Sequence, residues 1–193
     1  MRAVLFIQGA GRGVHDEWDI KLVESLRREL GTGYDVRYPR MPNEDDPTLA
    51  TWQPGIEKEL VSLGKGAIVI GHSVGGTLLI NVLAASSSSS ALGAIVLISA
   101  PFIGEGGWTT DDITPRLDLS ERLPPAVPLL LYHGESDAEV PVTHVELYSR
   151  AIPRAHVRRL AGRDHQLNND LSEVARDILG LESSAPRRKE ARS

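Results

Sequence analysis

The chain of 193 residues contains no cysteine. Disulfides, thiol nucleophiles and cysteine-ligated metal or redox centres are therefore excluded. Long apolar runs are also missing, since none approaches the roughly 18 residues that a membrane-spanning helix needs. The 21 lysines and arginines and the 26 aspartates and glutamates are interspersed, and the body of the chain has no basic stripe. We therefore expect no nucleic-acid partner and no membrane span.

The first apolar run, at residues 3–7, is cut short by Gln8 and Gly9. It is too short for the apolar region of a signal peptide, so we expect a cytoplasmic protein. A chain of this length can bury a substantial core as one domain, which we place at residues 1–181. Residues 182–193 are polar and are expected to form a disordered tail. The serine run at residues 86–90 is interpreted as a surface loop.

Strand-like and helix-like segments alternate along the chain. Continuous apolar runs predict buried strands at residues 3–7, 67–70, 93–100 and 127–133, and alternating patterns predict edge strands at residues 34–38 and 156–160. Apolar residues at helical spacing predict helices between them, with Pro54 and Gly55 expected to interrupt the one at residues 48–63. The alternation predicts a three-layer α/β/α sandwich around a sheet of roughly six parallel strands, with ligands beyond the strands' carboxyl ends.

The sequence Gly-His-Ser-Val-Gly at residues 71–75 stands between a predicted strand and a predicted helix. In a G-x-S-x-G nucleophile elbow the serine occupies a strained turn, and its neighbours must lack side chains that would clash. An ordinary βα turn is the alternative for the motif alone, but the flanking elements favour the elbow. Ser73 is therefore the candidate nucleophile, and the helix after it directs unpaired N–H groups toward a developing oxyanion.

A serine hydroxyl at neutral pH reacts slowly unless a base removes its proton, and the base must be oriented by a third group. His165 follows the last predicted strand, and Asp137 follows the strand before it. Asp164 is the weaker alternative acid, because a carboxylate adjacent in sequence rarely faces the imidazole. All these candidates lie at the carboxyl ends of predicted parallel strands, where residues distant in sequence can meet.

These motifs resemble those of compact serine hydrolases of the α/β-hydrolase superfamily, and the likeness extends over residues 3–180. It rests on the elbow at residues 71–75, on His-Gly-Glu-Ser-Asp-Ala-Glu-Val-Pro at residues 133–141 and on Gly-Arg-Asp-His at residues 162–165. The resemblance implies a minimal version of that fold. The family's two initial strands are expected to be absent, and the only sizeable insertion, residues 102–128, leaves little material for a cap domain.

The resemblance also implies the roles of individual residues. The catalytic triad would be Ser73, His165 and Asp137. The oxyanion hole would be formed by the backbone N–H groups of Val74 and of Ala10 or, alternatively, Gly11. The loop that carries the second donor reads Gln-Gly-Ala-Gly where the family commonly has His-Gly, which makes this side of the hole the departure from the pattern. We expect no cofactor and no metal ion.

Other conspicuous side chains receive other interpretations. Trp108, in the irregular stretch, and Gln8 are candidate pocket residues, whereas helix packing is at least as plausible for Trp18 and Trp52. His72 is expected to point away from the nucleophile as a packing residue. The remaining residues are expected to be structural or solvated: His133 beside a turn, Glu135 and Glu139 in a loop, and His15, His144 and His156 on surfaces or in loops.

The combined features predict acyl transfer to water by a carboxylesterase or thioesterase that acts on a small or medium acyl substrate. An amidase or peptidase could use the same three side chains. Two further alternatives are a binding protein that keeps the fold without turnover and a nucleotide-binding α/β protein. The loop at residues 9–13 lacks the G-x-G-x-x-G spacing of dinucleotide sites, which disfavours the last of these. Oligomeric state is left open.

Overall fold

The computed structural model describes residues 1–86 and 91–183. Six strands form one sheet in the order β2-β1-β3-β4-β5-β6, and every neighbouring pair is parallel. The strands are β1 (Arg2–Ile7), β2 (Tyr34–Arg37), β3 (Ile68–His72), β4 (Ala94–Ile98), β5 (Leu129–Gly134) and β6 (His156–Leu160). The predicted six-stranded parallel sheet is confirmed, and β2 and β6 lie at its edges as expected.

Helices pack on both faces of the sheet, which confirms the three-layer architecture. They are α1 (Asp19–Leu30), α2 (Leu49–Val61), α3 (Ser73–Ala85), α4 (Leu119–Arg122), α5 (Thr143–Ala151) and α6 (Ser172–Ser183). Buried side chains of α1 and α6 form one apolar core with one face of the strands. Those of α2, α3 and α5 form a second core with the opposite face. None of the helices in the described residues is long and apolar enough to cross a membrane.

One local prediction needs correction, and two others lie largely outside the described residues. Pro54 does not interrupt α2, which runs unbroken from Leu49 to Val61. A Thr48 capping box fixes the start of this helix and the buried Trp52 anchors it, so the backbone bond that proline removes is tolerated. Residues 87–90 of the serine run and residues 184–193 of the polar tail lie outside the described residues, and α6 extends past the proposed domain end at residue 181.

Strand register sets the positions of the loops that matter for function. Ile7, the last residue of β1, is level with Gly71 of β3, so the loop after β1 lies beside the elbow. On the other side, Gly134 of β5 is level with Leu160 of β6. The loops after these two strands are joined where Ser136 N–H donates to the Arg163 carbonyl at 2.9 Å. All these loops emerge at the carboxyl edge of the sheet, as parallel strands require.

Candidate active site

The serine turn has the geometry of a nucleophile elbow. β3 ends at His72 and α3 begins at Ser73, so no residue separates strand from helix. Ser73 has a φ of 51°, a left-handed conformation that is strained for a residue with a side chain. A side chain at Gly75 would collide with the carbonyl oxygen of Gln8, and one at Gly71 would come within 2.5 Å of Gly76 Cα. The two motif glycines therefore allow the elbow to pack against the loop after β1 and against its own helix.

His165 and Asp137 form a hydrogen-bonded pair. His165 Nδ1 lies 2.8 Å from Asp137 Oδ2, so the imidazole N–H donates to the carboxylate. The Asp137 side chain is fully buried, whereas 16% of the His165 side chain is exposed. With Nδ1 committed to Asp137, Nε2 is the nitrogen left to exchange a proton. The sequence-predicted acid and base are thus brought together.

Asp137 is held in its ionised form. Burial opposes its charge, but hydrogen bonds from His133 and His165 and from the Val140 N–H outweigh that penalty and lower the pKa of Asp137. The other oxygen, Oδ1, accepts N–H groups from Glu139 at 2.9 Å and from Val140 at 2.8 Å. The carboxylate is therefore fixed in orientation from two sides.

The alternative acid, Asp164, has a different partner. It is exposed, and its Oδ1 accepts the N–H of Asn168 at 2.7 Å, while its own N–H donates to Asn168 Oδ1 at 3.0 Å. These reciprocal bonds stabilise the loop that follows β6. Asp164 therefore shapes the loop of His165 while Asp137 contacts the imidazole.

Two backbone donors of the loop after β1, on either side of Ala10, are already paired. The N–H of Gly9 donates to Asp19 Oδ2 at 2.7 Å, and that of Gly11 donates to the Glu44 carbonyl at 2.7 Å. Gly11 is therefore not available as an oxyanion donor, contrary to the alternative raised from the sequence. Ala10 N–H has no hydrogen-bond partner within residues 1–86 and 91–183. Val74 is the second residue of α3, so its N–H also lacks a partner within the helix.

Glu44 fixes the shape of this loop. Its carboxylate accepts the Gly13 N–H at 2.9 Å and the Gln8 amide at 3.0 Å. Burial alone would raise the pKa of Glu44. The two hydrogen bonds and the charge of the nearby Arg40 outweigh burial, so the pKa of Glu44 is lowered overall. Gln8 is fully buried and also accepts the Met41 N–H at 3.0 Å. Gln8 is thus a structural brace and not the pocket residue that the sequence predicted.

Ser73 and His165 line the same cleft, which has a volume of about 470 Å³. Val74, Ala10 and Gly11 lie on its wall, and the exposed rings of Trp18 and Trp108 flank it. A chamber of about 240 Å³ adjoins the cleft and shares Ala10, Val74 and Trp108 with it. The expectation that Trp108 lines a pocket therefore agrees with its position, and Trp18 also faces the cleft. A cavity of about 550 Å³ between residues 102–117 and α5 contains none of the candidate catalytic side chains.

The remaining conspicuous side chains are mostly structural. Trp52 is fully buried and donates to the Pro42 carbonyl at 2.7 Å. His133 is buried, with Nε2 lying 2.8 Å from the Val140 carbonyl. His144 was expected at the surface but is buried in α5, because its Nδ1 accepts the Phe102 N–H at 2.9 Å. Burial lowers the pKa of His144. His72 is buried too, but it makes polar contacts instead of apolar packing.

Asp19 is the feature of this region that sequence reasoning missed. It is fully buried at the start of α1 and lies 3.0 Å from His72 Nδ1. The available signal was an aspartate in helical register with the buried residues Val23, Leu26 and Leu30. A carboxylate on an apolar stripe needs a buried partner.

Within residues 1–86 and 91–183, no cluster of three or more histidine, aspartate or glutamate side chains could hold a metal ion.

Solved structures share this architecture at low sequence identity. The ydeN gene product of B. subtilis superposes with a TM-score of 0.75 at 18% identity, covering 95% of this chain and 100% of the other. The esterase RhEst1 from Rhodococcus sp. ECU1013 gives 0.71 at 17% identity, with coverage of 95% and 90%. Est1E from Butyrivibrio proteoclasticus gives 0.68 at 16% identity, with coverage of 94% and 88%. No curated protein sequence shows detectable similarity to the chain.

A parallel six-stranded sheet with a serine elbow at the end of a central strand defines the class of α/β hydrolases. The sequence profile described as "Alpha/beta hydrolase family" matches residues 4–181. The chain therefore belongs to the alpha/beta hydrolase family.

Proposed function

We propose that the protein is a serine hydrolase that cleaves small or medium esters or thioesters through an acyl-enzyme on Ser73. The observation that carries this proposal is the presence of Ser73 and His165 in one cleft, with His165 Nδ1 bound to the buried carboxylate of Asp137 at 2.8 Å. A nucleophile, a base and a group that orients the base are the components that acyl transfer needs.

The reaction starts when Ser73 Oγ attacks the substrate carbonyl carbon while His165 Nε2 takes the hydroxyl proton. Asp137 stabilises the imidazolium that forms and keeps its Nδ1 proton in place. The tetrahedral intermediate then collapses: the bond to the alcohol or thiol breaks, and His165 gives its proton to that leaving group. A water molecule then attacks the carbonyl carbon of the acyl-enzyme while His165 takes its proton. His165 returns that proton to Ser73 Oγ as the ester bond breaks, which releases the acid and restores the Ser73 hydroxyl.

The oxyanion is stabilised by the N–H groups of Val74 and Ala10. Neither group has another partner among residues 1–86 and 91–183, and both residues line the cleft that contains Ser73. The Val74 donor also benefits from the positive end of the α3 dipole. In enzymes of related chemistry, each such donor contributes roughly 3–4 kcal/mol to stabilisation of the transition state.

The two cavities divide the substrate between them. His165 must reach the leaving group to protonate it, and His165 lines the cleft of about 470 Å³ but not the chamber of about 240 Å³. The leaving group therefore lies in the cleft, and the acyl group enters the chamber across Ala10 and Val74. Leu78, Ile103 and Ile113 give the chamber an apolar lining. Its volume suits a small or medium acyl chain better than a long one.

A panel of p-nitrophenyl esters tests the proposal. We expect hydrolysis of the acetate and butyrate esters, weak hydrolysis of the laurate ester and no hydrolysis of any ester by Ser73→Ala. Because Trp108 lines both the chamber and the cleft, Trp108→Ala should enlarge the acyl site and shift the preference toward longer acyl chains. Trp18→Ala is the matched control. Trp18 lines the cleft but not the chamber, so its loss should leave the acyl preference unchanged. Full activity in folded Ser73→Ala would contradict the proposal.

A further inference from the structure

A second buried aspartate–histidine pair lies beside the candidate triad, and none of the proposed steps uses it. Asp19 is 0% exposed and His72 is 1% exposed. Asp19 Oδ2 lies 3.0 Å from His72 Nδ1. Removing a carboxylate and an imidazole from water costs several kcal/mol each, so such a pair is retained only where its contacts offset that cost.

The contacts of this pair reach three separate parts of the site. Asp19 Oδ2 also accepts the N–H of Gly9 at 2.7 Å, and Gly9 precedes the candidate oxyanion donor Ala10. His72 precedes Ser73, and its Nε2 lies 3.1 Å from the backbone carbonyl of His165. One carboxylate oxygen therefore connects the oxyanion loop, the nucleophile and the loop of the base.

Van der Waals packing reinforces these polar links. A Cβ placed on Gly9 would come within 3.1 Å of His72 Nδ1 and 3.2 Å of Ser73 Cβ, so only glycine fits there without displacement. The rings of His72 and His165 are in contact, with centroids 4.9 Å apart. A shift of Asp19 or His72 would therefore be transmitted to the reacting groups.

The hydrogen bonds require His72 to carry two protons. Nδ1 faces a carboxylate oxygen and Nε2 faces a carbonyl oxygen, and neither oxygen can donate while Asp19 is ionised. Burial lowers the pKa of His72, but the charge of Asp19 and the bonds to Asp19 and the His165 carbonyl raise it more. The same partnership lowers the pKa of Asp19 against its own burial. The titratable groups that face His72 are Asp19 from α1, His165 from the loop after β6 and Asp137 from the loop after β5.

We propose that Asp19 and His72 are positioning residues, which hold Ala10 N–H, Ser73 and His165 in fixed relative positions before substrate binds. The inference rests on the proposed function for its kinetic consequences. It extends that function by assigning to this buried ion pair the alignment of three groups that come from separate loops.

Replacement of Asp19 by asparagine breaks this link for a specific reason. The side-chain oxygen of asparagine can still accept the Gly9 N–H, but without the negative charge His72 becomes neutral and has only one N–H. That proton can go to residue 19 or to the His165 carbonyl but not to both. If the amide nitrogen takes the position of Oδ2 instead, it opposes the Gly9 N–H. Asp19→Asn therefore always loses one of the three connections.

The first test compares kinetics of Asp19→Asn with those of a matched control. Misalignment of the reacting groups should lower kcat by roughly 10²-fold while KM stays close to its wild-type value. Asp177→Asn is the control. Asp177 lies on α6, where it accepts hydrogen bonds from Arg158 and Tyr132, and it does not line the cleft. It should lower the melting temperature and leave kcat unchanged. An unchanged kcat in folded Asp19→Asn would overturn the proposal.

A spectroscopic readout keeps the proposal testable if Asp19→Asn does not fold. Nitrogen-15 NMR of the wild-type protein, with His72 assigned by comparison with His72→Gln, should show both ring nitrogens of His72 protonated at neutral pH. A neutral His72 would overturn the proposal. Failure of this proposal can be distinguished from failure of the proposed function. Loss of activity in Ser73→Ala together with an unchanged kcat in Asp19→Asn would refute only the positioning role. Absence of any hydrolysis by the wild-type protein would instead contradict the proposed function and leave the NMR test of the pair in force.

Discussion

Asp137 Oδ2 accepts a hydrogen bond from His165 Nδ1 at 2.8 Å and lies 3.2 Å from His133 Nε2. The His165 bond on Oδ2 and the Glu139 and Val140 N–H bonds on Oδ1 hold the carboxylate charged and oriented, so the candidate acid is already positioned before substrate binds. The Nε2–H of His133 is directed mainly at the Val140 carbonyl, 2.8 Å away, and Asp137 Oδ2 is its second, weaker acceptor. This arrangement explains why a carboxylate with no exposed side-chain surface remains ionised.

Asp137→Asn should lower kcat by roughly 10³–10⁴-fold, because an amide can present an N–H to His165 and favour the wrong tautomer. Glu135→Gln is the matched control, since Glu135 belongs to the same loop but is exposed and pairs with Arg159. Its kcat should match that of the wild type. Steady-state kinetics on a p-nitrophenyl ester measure both. A mild effect of Asp137→Asn together with a severe effect of Asp164→Asn would transfer the role of the acid to Asp164.

Glu44→Gln should lower kcat by up to roughly tenfold with little change in KM, because the loop after β1 would no longer hold the Ala10 N–H in one fixed position. A glutamine can accept only one of the two hydrogen bonds that Gly13 N–H and the Gln8 amide give to the carboxylate. Glu57→Gln is the control, since Glu57 is exposed on α2 and accepts a hydrogen bond from Gln53 of the same helix. Identical kinetics for the two variants would show that Glu44 does not support the oxyanion hole.

Gly75→Ala should destabilise the fold by about 1–3 kcal/mol, because the new methyl group would collide with the Gln8 carbonyl. Without that collision, alanine in a helix would be stabilising by about 0.5–1 kcal/mol relative to glycine. Gly64→Ala provides the comparison, because a Cβ at Gly64 meets no atom within 4 Å. Thermal unfolding of the two variants measures the difference. A Gly75→Ala protein as stable as the wild type would contradict the close packing of the elbow on the β1 loop.

The stability contributed by Asp170 should depend on pH in a defined direction. A hydrogen bond from Arg163, followed by one from the Ser172 backbone, lowers the pKa of Asp170 to about 2. A carboxylate whose pKa is lower in the folded than in the unfolded state stabilises the fold above its unfolded pKa, and that contribution disappears as pH falls. The melting temperature of Asp170→Asn should therefore be below that of the wild type at neutral pH and converge with it between about pH 4 and pH 2. Because the Asp170–Arg163 pair is partly exposed, we expect the free energies of unfolding of the two proteins to differ by about 1 kcal/mol or less at neutral pH. A constant difference over the whole pH range would contradict the charge pairing.

The sequence was sufficient to predict the sheet and to place the three candidate catalytic side chains at one edge of it, because each signal is local. Ser73, Asp137 and His165 each follow a strand that its apolar residues define. Parallel pairing then brings the ends of those strands to one edge of the sheet. The elbow is also a local feature, since the glycines that permit it are within the motif.

The supports of the site could not be derived in this way, because they depend on contacts between distant segments. The preference for Ala10 over Gly11 as the candidate oxyanion donor depends on the Glu44 carbonyl, which is in the loop after β2. The contacts of His72, at the end of β3, depend on Asp19 at the start of α1. Gln8 could be assigned to the pocket only because nothing in the sequence reveals that Met41 and Glu44 surround its amide.

Covalent labelling at Ser73 tests the central claim most directly. The wild-type protein is treated with a fluorophosphonate probe, and the modified peptide is identified by mass spectrometry. We predict a single adduct on Ser73, its absence in Ser73→Ala, and full labelling of Ser62→Ala, in which a surface serine at the end of α2 is removed. Undiminished labelling of Ser73→Ala, or an adduct on any other residue of the wild type, would contradict the assignment of Ser73 as the nucleophile.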